Sequence, residues 1–151
     1  MTKDIETALR AAAETLPSGA APDFAEALSA RAAEEGLLDV AYATVDSPLG
    51  PLVVAATPSG LVRLAYTESH PEQELLEDLA ARLSPRILEA PARLDGVRRE
   101  LDEYFEGRRV EFDLPIDWSL SRGFTGKVLR QTARIGFGTT STYAEVASGA
   151  G

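Results

Sequence analysis

Between Val40 and Tyr66 the chain reads as short β-prone runs cut by turn residues, and this texture limits the fold more than any other feature. Val40-Ala-Tyr-Ala-Thr-Val45, Leu52-Val-Val-Ala-Ala56 and Leu61-Val-Arg-Leu-Ala-Tyr66 are joined by Ser47-Pro-Leu-Gly-Pro51 and Pro58-Ser-Gly60. Proline fixes φ and glycine opens the left-handed region, so both joints favour tight reversals. The pattern predicts a three-stranded antiparallel meander, closed by His70-Pro71.

Helical spacing surrounds the meander. Leu75, Leu76, Leu79 and Leu83 share one face over residues 72–83, and Val97, Leu101, Tyr104 and Phe105 line a helix that Gly107 stops. Arg86-Ile-Leu-Glu-Ala90 suits a further short strand, and the alternation in Val110-Glu-Phe-Asp-Leu114 suits an edge or half-exposed one. On the N-terminal side, Ile5, Leu9, Ala12, Ala13 and Leu16 follow helical spacing, as do Phe24, Leu28 and Ala32. Pro22 or Asp23 can start the second of these helices, and Gly36 can end it. The fold class is therefore α+β: a helical extension over residues 1–38, a sheet domain over 40–117 and a third region over 118–151. The span 40–114 is the expected stable core.

The third region predicts helix, glycine turn, helix. Phe124, Val128, Leu129 and Ile135 give a stripe over 124–135, and Gly136-Phe-Gly138 breaks it. Thr142-x-x-Glu145 has the form of a capping box, so a new helix begins at Tyr143 and Gly149 lies near its end.

Charge divides along the same boundaries. The overall formal charge is −9, of which residues 1–40 carry −5, residues 41–117 carry −7 and residues 118–151 carry +3. A contact with phosphates is expected only from the last region. The chain has no cysteine, which excludes disulfides, thiolate catalysis and cysteine-based zinc sites within these residues. His70 is the only histidine and reads as a solvated loop residue. Ser47 and Ser59 read as turn serines, because no nucleophile-elbow glycines flank them. No metal and no cofactor is expected. No apolar run is long enough for a membrane span, and the acidic start is unlike a signal peptide, so the cytoplasm is the expected compartment.

Several of these pieces, in this order, resemble the O6-alkylguanine-DNA alkyltransferase (methylated-DNA–protein-cysteine methyltransferase) family. The similarity covers about residues 40–151 and rests on Asp46-Ser-Pro-Leu-Gly-Pro-Leu52, Ser59-Gly-Leu61, Leu101-Asp-Glu-Tyr-Phe-Glu-Gly107, Phe124-x-x-x-Val128 and Ile135-x-Phe-Gly-x-x-Ser-x-Tyr143-x-Glu-Val-Ala147. Thr125, Leu129 and Gly136 depart from the residues common there, as packing variations.

The resemblance implies a ribonuclease H-like antiparallel sheet domain with helices, followed by the first helices of a winged-helix-like DNA-binding domain. It also implies DNA repair, by moving an O6-alkyl group of guanine onto a protein cysteine, with alkylated double-stranded DNA as partner and a monomeric state. In the family the recognition helix and the cysteine loop follow the position of Tyr143. The expectation is therefore a fragment, or a form inactive by itself, with no catalytic residue of its own. The family's tyrosine at this place helps to turn the phosphate beside the extruded base, so Thr142, Tyr143 and Ala144 are the candidate DNA-binding residues. A helix N-terminus also offers free amides to a phosphate. The other reading of Tyr143 is a core tyrosine locking two helices together. Two further readings of the whole chain stay open: a non-catalytic alkyltransferase-like DNA-binding protein, and a regulatory or interaction protein.

Overall fold

The computed structural model describes residues 21–151. The helical spacing of Ile5 to Leu16 falls outside the described residues. The first element is α1 (Ala21–Glu34), followed by β1 (Val40–Val45), β2 (Leu52–Thr57) and β3 (Gly60–Tyr66). Then come α2 (Glu72–Arg82), β4 (Ile87–Glu89), a 3-10 turn (Pro91–Leu94) and α3 (Asp95–Phe105). Two further helices, α4 (Gly123–Thr132) and α5 (Tyr143–Ala150), complete the described chain.

The three expected strands form the antiparallel meander. The strand order is β3-β2-β1-β4, with β4 beside β1 in parallel, so the complete sheet is mixed. A parallel neighbour needs a long crossover, and the segment carrying α2 provides it. Ser47 and Ser59 are turn residues as expected: the Ser47 hydroxyl donates to the Gly50 carbonyl at 2.6 Å, and the Ser59 N–H donates to Thr57 Oγ1 at 3.1 Å.

Helices cover both sheet faces. Ala43, Val45 and Val54 meet Leu94, Val97 and Leu101 on one side, while Val40 and Ala55 meet Leu79 on the other. Leu52, Val53, Val54 and Ala55 are consequently all buried, as a strand sandwiched between two layers requires. Each large side chain removed from water here contributes about 1.5–3 kcal/mol. A third cluster, Leu38, Ala41 and Ala90, takes up Ala32 and Ala33 of α1. Phe24 and Leu28 of the same helix remain half exposed.

The helix α3 ends as its glycine predicts. Gly107 adopts φ 73°, its N–H donates to the Tyr104 carbonyl at 3.0 Å, and the Arg108 N–H donates to the Glu103 carbonyl at 2.8 Å. The strap that follows is not the strand expected over Val110–Leu114. Its polar groups are taken by side chains instead: the Asp113 N–H donates to Glu100 Oε2 at 2.9 Å, and Arg109 Nη1 donates to the Glu111 carbonyl at 2.9 Å. Arg109 also donates to Glu103 at 2.7 Å and lies 3.5 Å from buried Glu100. The hydrogen bond from Arg109 holds the Glu103 carboxyl below its ordinary range. Val110 and Phe112 stay largely exposed, and only Leu114 reaches the core.

Pairing with the sheet starts later. Leu61 forms an isolated parallel bridge with Ile116, through the Leu61 N–H to the Pro115 carbonyl at 2.8 Å and the Asp117 N–H to the Leu61 carbonyl at 2.9 Å. Gly60 permits this approach: it sits at φ 137°, and a side chain there would overlap the Pro115 carbonyl.

Replacing Leu79, fully buried between α2 and the sheet, is expected to be costly. Leu79→Ala should lower unfolding free energy by about 2–5 kcal/mol, whereas Val110→Ala should change it little. Urea midpoints of the two variants, at unchanged slope, check this contrast.

Candidate nucleic-acid interface

The helices α4 and α5 form a pair with almost no core. Among their residues only Gly126 and Ala150 are buried, and neither helix contributes to the three clusters of the sheet domain. Small residues set the contact between them: Gly149 lies so close to the Gln131 side chain that any larger residue would displace it. Lys127 Nζ donates to the Gly151 carbonyl at 3.3 Å. The helix α4 stops at Thr132, three residues short of the predicted stripe, and Arg134 and Ile135 lie in turns bonded to Gln131 and Thr132.

The capping box predicted at the start of α5 is present in both directions. The Glu145 N–H donates to Thr142 Oγ1 at 3.2 Å, and the Thr142 N–H donates to Glu145 Oε2 at 2.8 Å. Ser141 adds its hydroxyl to the same carboxylate at 3.1 Å. Of the candidate DNA-binding residues, Thr142 thus has its hydroxyl engaged in the cap. Tyr143 and Ala144 stand at the first helical positions, where an N–H has no intrahelical acceptor. Tyr143 is 99% exposed, so none of the described residues buries its ring.

Most described cations elsewhere are ion-paired, whereas those of this region are not. Arg31, Arg63, Arg82, Arg86, Arg98, Arg108 and Arg109 each face a carboxylate at ion-pair distance. Among the described residues Arg122, Lys127, Arg130 and Arg134 have no such partner, and in the sheet domain only Arg93 and Arg99 share that state. Lys127 and Arg130 are three residues apart in α4 and so lie on one helical face. Arg130 stacks over Trp118 at 5.1 Å from the ring centroid, a contact that no local sequence signal announced. His70 is exposed, beside Arg63, Ser69 and Glu74 in an open cleft between β3 and α2. Among the described residues no group of three or more His, Asp or Glu side chains is placed to hold a metal, and no helix is long and apolar enough to cross a membrane.

Comparison with known proteins supplies the family. The sequence model described as "6-O-methylguanine DNA methyltransferase, ribonuclease-like domain" matches residues 40–118, more than half of the chain. The chain belongs to this family. It is 29% identical over 112 residues to the constitutive methylated-DNA–protein-cysteine methyltransferase of Bacillus subtilis, covering 73% of this chain and 63% of that protein. The corresponding protein of Sulfolobus acidocaldarius is 27% identical over 108 residues, covering 72% and 60%. The crystal structure of the Mycobacterium tuberculosis O6-methylguanine methyltransferase superposes with a TM-score of 0.59 at 32% identity, covering 74% of this chain and 62% of that one. The chain therefore spans less than two thirds of the length of these relatives. The family's α+β architecture, with its ribonuclease-like sheet domain, is the one described above.

The cap on α5 carries a pH signature. The Thr142 N–H, followed by the Ser141 and Thr142 hydroxyls, holds the Glu145 carboxyl below its ordinary value of 4.5. Ionised Glu145 thus stabilises the folded helix above that pH, and the contribution is lost as pH falls through the lowered folded value. Amide exchange of Glu145 and Val146 should accelerate across this acid range. Glu145→Gln, which keeps an acceptor without the charge, should flatten the dependence.

Proposed function

We propose that this chain serves DNA repair of the methylated-DNA–protein-cysteine methyltransferase type, with α4 and α5 as the part that faces double-stranded DNA. The observation that carries this reading is the charge partition: cations in the sheet domain are largely spent on carboxylates, and those of the helical pair are not. Phosphates are the partner that such unpaired cations and the free amides of Tyr143 and Ala144 would take. The family's chemistry, transfer of an alkyl group from guanine O6 to a cysteine, calls for a thiolate. These residues include no cysteine, so the acceptor has to lie outside them. The sheet domain then acts as the platform that carries the DNA-facing pair.

These 151 residues alone should bind duplex DNA weakly and without regard to alkylation, because base readout needs an element seated in a groove. Three or four phosphate contacts give a log–log salt slope of about −3. Arg134→Ala should make the slope shallower by about one unit. Titration of methylated and unmethylated duplexes at two salt concentrations checks this. Clear preference for the methylated duplex, or stoichiometric transfer of labelled methyl to the protein, would contradict the reading.

A further inference from the structure

The stretch between the sheet and α4 is short, yet contacts from several elements converge on it. Asp117 uses both carboxylate oxygens: Oδ2 accepts from the Thr57 hydroxyl at the end of β2, and Oδ1 accepts from the Ser119 N–H at 2.8 Å and from the Ser119 hydroxyl. Its own N–H is bonded to Leu61 of β3 at 2.9 Å. One residue thereby ties two strands to the turn that enters α4. From the other side Arg82 Nη2 donates to the Leu120 carbonyl at 2.8 Å, and Arg82 also lies 3.4 Å from Asp78, which pairs with Arg63 of β3. Leu120 itself packs against the cluster around Leu79.

The turn is then passed on to the helix. The Ser121 N–H bonds the Trp118 carbonyl at 2.9 Å, Gly126 sits directly on the Ser121 carbonyl with no room for a side chain, and Arg130 covers the Trp118 ring. Neither α4 nor α5 shares a hydrophobic cluster with the sheet domain, so their placement depends on these polar contacts and on the packing of Leu120. Hydrogen bonds to an ionised carboxylate are the stronger kind, and Asp117 makes several. Burial pushes the Asp117 carboxyl up, but bonds from Ser119 and Thr57 outweigh it and keep the group ionised.

We propose that Asp117 is a positioning residue: its carboxylate, with Arg82 as the second clasp, sets the orientation of the α4–α5 pair on the sheet domain. It acts through Ser119 and Trp118 and touches no nucleic acid itself. Its second readout, DNA affinity, rests on the functional reading above; its first does not.

Trp118 is the single tryptophan of the chain and sits in the clamp, so its fluorescence reads the junction directly. In Asp117→Ala its emission should move to the red and acrylamide quenching should rise. DNA affinity should fall about tenfold, the equivalent of one charge-assisted hydrogen bond. Asp117→Asn keeps the shape and an acceptor, and should return most of the wild-type emission. Arg82→Met alters an exposed side chain and should reproduce the red shift with little change in the unfolding midpoint, which keeps the test decisive if Asp117→Ala does not fold. Unchanged emission and quenching in the variants overturns the proposal. A wild-type chain that binds no DNA, while Trp118 still responds to these substitutions, overturns the DNA reading and supports the clamp.

Discussion

The two-sided burial of β2 is the constraint on which the rest of the molecule depends. With Leu52, Val53, Val54 and Ala55 all removed from water, the sheet has to be covered on both faces. That requirement places α2 on one side and α3 with its preceding turn on the other, and leaves β3 and β4 as edges. Everything C-terminal to α3 is attached to this sandwich from outside. The strap is held by the Glu100–Arg109 network and then by two main-chain bonds at Leu61, so the polypeptide reaches the edge of β3 without adding a full strand. A buried carboxylate such as Glu100 is costly unless paired, which makes the strap's path specific even though it buries little apolar surface.

Charge follows the same division. In the sheet domain most arginines lie among acidic side chains and pair with them, so a strongly negative charge coexists with many local ion pairs. Exposed pairs of this kind contribute little stability each. Their effect here is electrostatic neutralisation, which leaves Arg93 and Arg99 as the unpaired arginines of the sheet domain, against four unpaired cations in residues 118–151. The formal charge of −12 over residues 1–117 disfavours approach of a polyanion to that part of the chain.

Much of this was legible in the sequence, because it is written in local patterns. Strand runs between Pro/Gly turns, the leucine face of α2, the stop at Gly107 and the Thr142–Glu145 box each depend on residues a few positions apart. The strand expected over Val110–Leu114 failed for the opposite reason: alternation describes which side chains face inward, not where backbone hydrogen bonds go, and Glu100 and Arg109 capture those groups from outside the segment. The parallel placement of β4 depends on a crossover that no local pattern encodes. The junction was equally invisible, since Thr57 meets Asp117 across 60 residues and Arg82 meets Leu120 across 38. Of the candidate site, the helix start at Tyr143 was legible in the capping box, while the exposure of Tyr143 is known only from the fold. The unpaired state of Arg122, Lys127, Arg130 and Arg134 needed the fold, because only the fold shows which other cations are already taken.

The central claim is that stability resides in the sandwich around β2, while the α4–α5 pair is ordered by a thin junction. Native-state hydrogen exchange tests it most directly. Amides of Val53, Val54 and Ala55 should exchange only through global unfolding, with the denaturant dependence of the whole domain. Amides of Val128, Leu129 and Val146 should exchange through local opening, at much lower free energy and with little denaturant dependence. Protection of α4 and α5 equal to that of β2, lost in the same cooperative step, would contradict the account.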